Sequence, residues 1–208
     1  MKRTIALIIP FIFILGCATG DANYVQPLRN YSSTNTIELQ ESKDDAWKRI
    51  VPALGKAFYV INNIDKDSGL INFSYSGDPV KYVDCGRITS TVTNLRGTRD
   101  YNFPASQAFQ EYETMNGINL IHISRKMHMT GRINLIMEEL SQKNVRITIN
   151  TRYVLTKSIT ARATNGQTQS TSDTVSFNTN ETGHFSSSQT VCRPTGKLEK
   201  HILSLITQ

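Results

Sequence analysis

Between Asn144 and Ile159 the chain alternates in a strict two-residue period. Val145, Ile147, Ile149, Thr151, Tyr153 and Leu155 take one set of positions, and Arg146, Thr148, Asn150 and Arg152 take the other. Successive strand side chains point to opposite faces, so this stretch specifies a strand with one face on a core and the other in water. Such a strand cannot stand alone, and its partners are visible nearby. Ile118–Thr130 places Ile121, Ile123, Met127 and Met129 on one face, and Arg132–Leu140 continues the pattern. Thr130-Gly131 and Gln142-Lys143-Asn144 read as the connecting turns. The predicted centre of the fold is therefore antiparallel sheet.

Shorter β-patterned runs surround this centre. Thr36–Gln40, Val60–Asn63 and Leu70–Tyr75 are three, the last two joined by the polar turn Asp65-Lys66-Asp67-Ser68-Gly69; Asp173–Asn178 is a fourth. Helical spacing replaces this period twice. Ser42 offers a side-chain oxygen at a helix start with Asp45 three residues on, and Ala46, Trp47, Ile50, Val51, Leu54 and Phe58 then form one apolar stripe. Pro52 interrupts that helix, where it removes a hydrogen bond. Leu198, Ile202, Leu205 and Ile206 mark a C-terminal helix that Thr195 can cap. Cys85–Gly117 fits neither pattern and reads as a long connection, and Ala163–Val191 is a Ser/Thr/Asn-rich stretch expected to be irregular and partly mobile. The expectation is one α+β domain over residues 36–208, within the 208 residues one core can serve.

The N-terminus predicts an address. Met1-Lys2-Arg3 is a cationic head, and Ile5–Leu15 is an apolar run. As a helix that run covers about 16 Å, half a bilayer core, which suits a secretory signal and not a stable span. Ile14-Leu15-Gly16-Cys17 resembles the bacterial lipobox, in which the cysteine is lipidated and becomes the new N-terminus. The alternatives are an ordinary signal peptide with an incidental cysteine, or an uncleaved anchor. On the lipoprotein reading, residues 1–16 are signal, Cys17 carries acyl chains worth about 0.8 kcal/mol per buried methylene, and residues 17–35 form a flexible tether. Ala18 stands where an inner-membrane retention signal would place Asp, so the resemblance implies the outer membrane, with the domain facing the periplasm or the cell surface. Formal charge is +6, or +4 once Lys2 and Arg3 are removed, too small an excess to argue for nucleic acid.

With Cys17 lipidated, Cys85 and Cys192 remain as an even pair in an oxidising compartment. A bridge between them would close a loop worth about 4–5 kcal/mol in the chain-entropy model, and two free buried thiols are the alternative. Residues for chemistry are sparse. His122 and His128 lie six positions apart, about 20 Å along a strand, and cannot share a metal. The Asp65–Gly69 turn lacks the later Glu of a calcium loop. No nucleophile motif or glycine-rich phosphate loop occurs, so no catalytic residue, metal or cofactor is predicted. A basic series, Arg125, Lys126, Arg132, Arg146 and Arg152, is the candidate contact surface for a partner or for lipid headgroups; ordinary sheet-face solubility is the alternative reading. Aromatic residues do not interleave with it as a nucleic-acid platform requires.

Asp45-Ala46-Trp47, Leu54, the run Val60 to Ile71, Tyr75 and Asp78-Pro79 together resemble the repeated domain of the BamC family, accessory lipoproteins of the outer-membrane β-barrel assembly machinery. The match spans Ile37–Pro79. It implies a helix-grip fold, a curved antiparallel sheet packed on a long N-terminal helix and a C-terminal helix. It also implies a non-enzymatic interaction module in an envelope complex. A module binding lipid or a small molecule in a cavity between helix and sheet is the alternative, and a hydrolase acting on cell wall or lipid a third.

The anchor reading has a direct test. Cys17→Ser should release the chain from the outer-membrane fraction, and a signal-cleaved variant that stays there in high salt would show that lipidation is not what holds it.

Overall fold

The structure, a computed structural model, describes residues 18–28, 34–57 and 59–207. The signal segment, Cys17 and Phe58 lie outside the described residues. The chain opens with strands β1 (Thr19–Val25) and β2 (Thr36–Leu39), helix α1 (Lys43–Lys56), and strands β3 (Val60–Asp65) and β4 (Leu70–Gly77). The short β5 (Val83–Asp84) precedes β6 (Arg87–Asn94), β7 (Gly97–Pro104) and β8 (Phe109–Asn116). Two long strands follow, β9 (Asn119–Ser141) and β10 (Asn144–Ala163), then β11 (Thr168–Asn178), β12 (Gly183–His184), β13 (Val191–Pro194) and α2 (Lys197–Ile206).

β9 and β10 pair antiparallel along almost their whole length, from Val145↔Glu139 to Ala163↔Ile121. This ribbon is too long for one set of neighbours, so its two halves carry different ones. Near the β9–β10 turn it is flanked by β4 and β3 on one side and β2 on the other; near its far end it is flanked by β8 and β11. The inner face of the first half is covered by helices. Ala46, Ile50 and Leu54 of α1 and Leu198, Ile202 and Ile206 of α2 belong to the same buried cluster as Phe73, Leu135 and Ile147, all with no exposed surface. The second half is covered by the three-stranded sheet β1-β6-β7. Ser90 there donates to the Glu113 carbonyl (2.6 Å), and the Phe103 ring packs on Tyr112 (5.1 Å between centroids).

The helix-grip expectation is overturned. Strands make up 60% of the described residues and helices 15%, so the architecture is mostly β, with two short helices and several sheets in place of a long helix gripped by one sheet. The predicted turn at Thr130-Gly131 does not form, and β9 runs straight through it. Gly131 serves a different need: a Cβ there would meet Leu198 Cδ2 at 3.2 Å, so the missing side chain lets α2 lie close on the sheet. Cys85–Gly117, expected to be a connection, holds β6, β7 and β8, and the Ser/Thr-rich stretch holds β11. Part of the expected tether is also structured, because Thr19–Val25 pairs with Thr93–Arg87 as β1.

Several local expectations hold. Ser42 caps α1, accepting from the Asp45 amide (3.1 Å), and Pro52 sits within that helix. Trp47, on the expected apolar stripe, is half-buried and packs against the edge of the core. α2 is preceded by Gly196 in the left-handed region (φ 71°), and Thr195, one position earlier, accepts from the Lys197 amide (3.4 Å) while donating its hydroxyl to the Tyr82 carbonyl (3.0 Å).

The Cys85 and Cys192 sulfurs are bonded to each other. The bridge sits where β13 pairs with β5 and β12, beneath Tyr24, whose hydroxyl donates to the Cys85 carbonyl (3.0 Å) and accepts from the Val191 amide (2.9 Å). It ties the segment leading into α2 to the start of the β6–β7 sheet. Thiol labelling of the oxidised protein under denaturing, non-reducing conditions should therefore find no reactive group at Cys85 or Cys192. Reduction should lower the melting temperature, by several degrees if the bridge is worth about 2–4 kcal/mol.

Candidate functional site

The basic residues singled out in the sequence do not form one stripe. Arg125 points inward and is 1% exposed, while its neighbour Lys126 faces out beside the Phe109 ring. Arg146 is engaged by Glu38 (2.9 Å) and Glu138 (3.4 Å) and has no charge to spare. Arg132 and Arg152 remain. They are register partners on adjacent strands, both on the exposed face, so two guanidinium groups project side by side. Like charges directly opposite each other destabilise a sheet unless something between them compensates.

Around this pair the outer face carries a row of amides. Asn150, Asn134 and Asn72 fall on one line across β10, β9 and β4. Asn72 Nδ2 donates to Asn134 Oδ1 (2.6 Å), Asn62 Nδ2 to Asn72 Oδ1 (3.2 Å), and Asn35 Nδ2 to Asn150 Oδ1 (3.2 Å). An open cleft of about 620 Å³ lies over these groups and is closed at one end by the Asn178–Glu181 turn after β11. Arg152 donates to Ser176 Oγ (3.0 Å), and the Glu181 carboxylate accepts from the Asn178 amide (3.0 Å). Hydrogen bonds from Asn178 hold the Glu181 carboxyl below its usual range, with the Arg152 charge adding to the effect. The cleft floor is braced from within. Thr179 accepts from the Thr151 amide (2.9 Å) and donates to Glu199 (3.1 Å), and Tyr153 donates to the same fully buried carboxylate (2.9 Å).

Arg132, Arg152 and the amides are hydrogen-bonding groups aimed outward from a rigid sheet, suited to bind carboxylates and other planar oxygen acceptors. Sequence reading found the two arginines. It missed the asparagines, because Asn62, Asn72, Asn134 and Asn150 converge only through strand register. A second cavity, about 370 Å³, is lined by Tyr101, Glu113, His122 and Arg162. Its central carboxylate is already engaged, Glu113 pairing with Arg99 and with His122 Nδ1 (3.1 Å). The space between helix and sheet, expected by the alternative reading to hold a ligand, is filled by the core side chains of α1, α2, β4, β9 and β10.

Inside the β-sandwich half lie two cations. Arg125 has no hydrogen-bond partner at Nη1 or Nη2 among the described residues, and its burial lowers its affinity for a proton. Lys157, 2% exposed on β10, donates to Ser188 Oγ and lies over the Phe185 ring at 4.4 Å. Burial, reinforced by the Arg125 charge and opposed by Asp173, lowers Lys157 to about 8. Burying both cations costs stability and leaves them out of reach of a docking partner.

Compared with protein-family models, curated proteins and solved structures, the chain matches none. Among the described residues no helix is long and apolar enough to cross a membrane, and no three His, Cys, Asp or Glu side chains are grouped to hold a metal ion.

The Lys157 ammonium gives a pH signature. Its folded value of about 8 lies below the unfolded value of 10.5, so the cost is fully present below pH 8 and is relieved as pH rises towards 10.5. Lys157→Met should raise stability at pH 7 by up to about 3 kcal/mol. It should also remove the wild-type gain between pH 8 and 10, both read from denaturant melts across that range.

Proposed function

We propose that this chain is an outer-membrane-anchored periplasmic lipoprotein that acts as a non-enzymatic docking module. On this reading Cys17 carries the lipid, and the outer face of the β9–β10 ribbon receives an acidic segment of an envelope protein. The observation that carries the docking half is the Arg132–Arg152 pair: two adjacent guanidinium groups on a sheet, beside a row of amides, with Glu181, the acid lining the same cleft, held by Asn178. A carboxylate-bearing strand or loop laid across the cleft would separate the two charges and use the amides for its backbone. The lipobox supports the anchoring half. The BamC resemblance rests on residues Ile37–Pro79, and the fold it implied is not the one observed, so the proposed partner is named by its chemistry and not as the barrel assembly machinery.

Affinity purification from detergent-solubilised envelopes tests the proposal. Wild-type protein should bring down a stoichiometric envelope partner, and the double variant Arg132→Glu/Arg152→Glu should lose it about tenfold or more, since like-charge juxtaposition costs several kcal/mol. Both substitutions are on the solvent face and keep a like-charge pair, so the melting temperature should be unchanged or slightly lowered. Wild-type protein recovered alone would sink the docking reading.

A further inference from the structure

Among the described residues, three large apolar side chains are close to fully exposed: Leu28, Leu95 and Ile118, at 90%, 89% and 90%. Leu28 adjoins residues outside the described set. Leu95 and Ile118 sit at the tips of two separate hairpins, β6–β7 and β8–β9, where Gly, Asn, Asp and Ser are the residues a turn needs. Neither contributes to the core, so the fold gives no reason for them.

Their placement supplies one. Thr19 of β1 pairs with Thr93, next to the turn that carries Leu95. Ser90 and Arg99 both bond Glu113, and a Cβ on Gly20 would meet Met115 Cγ at 2.6 Å, so β8 runs alongside β1 and β6 towards the same end. Ile118 lies just beyond Met115. The Thr164 amide donates to the Leu120 carbonyl (3.1 Å), which brings the β10–β11 turn to that end as well. Cys17 precedes Thr19 by two residues, a reach of at most about 7 Å. The two exposed aliphatic tips are therefore at the end of the molecule where the lipid would be attached, and the exposed Arg96 follows Leu95 on the same turn. The opposite end shows the contrast, since its turns are Lys66–Gly69 and Gln142-Lys143, without an apolar tip.

We infer that this end is a membrane-contact surface: Leu95 and Ile118 insert into the phospholipid bilayer beside the acyl chains of Cys17, and the domain stands on the membrane by its hairpin tips. The inference rests on the lipoprotein reading and goes beyond it, because a lipid anchor alone leaves orientation free.

The test uses the full chain, with palmitate incorporation measured on every sample. Leu95→Trp, Ile118→Trp and, at the opposite end, Lys143→Trp are each purified as lipoprotein and reconstituted into phosphatidylethanolamine/phosphatidylglycerol vesicles containing brominated phosphatidylcholine. Emission is compared with wild type, whose Trp47 provides the baseline. Indoles added at positions 95 and 118 should lose about half their emission or more, as expected for side chains buried roughly 5–10 Å into the interface, and the one at 143 should keep its emission. Palmitate incorporation without quenching at 95 and 118, or with equal quenching at 143, overturns the membrane-contact surface and leaves the anchor intact. Absence of palmitate overturns the anchor and this inference with it.

Discussion

The pairing of β9 with β10 is the constraint on which the other elements depend. Its register runs without interruption from Val145 to Ala163, so each inward residue of one strand is matched to an inward residue of the other along the whole ribbon. A one-position slip of β9 would turn Met129, Ile133 and Leu135 outward, and the same slip of β10 would turn out Ile147, Ile149 and Tyr153. With that register set, β4 and β2 can align only beside the first half, and β8 and β11 only beside the second. The two covers follow from the same fact. A ribbon this long exposes more inner face than two short helices can hide, and the β1-β6-β7 sheet closes the remainder.

Polar burial marks the joins between those covers. The Glu199 carboxylate, with donors from Tyr153 and Thr179, ties α2 to β10 and to the turn after β11. Tyr153 is raised well above the ordinary phenol range by burial, with Glu199 adding to it, so the phenol remains a donor at all pH values the fold survives. That network is satisfied. The Arg125–Lys157 region is less so, with the guanidinium ends of Arg125 left without hydrogen-bond partners among the described residues, in a layer that includes Met127 and Phe185. A core of this kind is weaker than an apolar one of equal volume. The disulfide lies beside this layer, where a covalent tie offsets the loss.

Much of this was legible from residue pattern, and the failures share a cause. The alternation in β10, the Ser42 cap, the α1 stripe and the β3–β4 turn are local signals, and each appears where expected. Gly131 was misread because a glycine that admits a helix and a glycine that makes a turn look alike until the helix is in place. The first half of β11, residues 168–172, was missed although 173–178 read as strand, because its outward Ser170 and Ser172 pair with Thr160 and Ser158 of β10 through hydroxyl contacts of 3.0–3.1 Å. Such a strand has no apolar alternation to detect, and its stability comes from the neighbour. The same holds for β6, whose Thr-rich sequence reads as polar connection until Thr91 and Thr93 find Asp100 and Thr98 across the hairpin. For the site, residue type pointed to the arginines, while the distinction between Arg125 and Arg132 required only the strand period applied across an unbroken β9. The false turn at Gly131 concealed it.

A stiff ribbon also separates the two surfaces proposed for the chain. From Asn119, beside the hairpin tips, to Arg132, in the amide-lined cleft, β9 is continuous and spans about 40 Å. A flexible tether of the same reach would allow the cleft to sample every orientation, at an entropic cost to each docking event. With β1 beginning two residues after Cys17, little chain is left for such sampling, and the position of the cleft is set by the fold itself. On the proposed anchoring through Cys17, the cleft would meet partners at a fixed height above the bilayer. That arrangement favours a partner whose acidic segment is itself held near the membrane, because two membrane-bound surfaces at matched height meet in two dimensions and at high effective concentration. A freely diffusing soluble ligand would gain nothing from it.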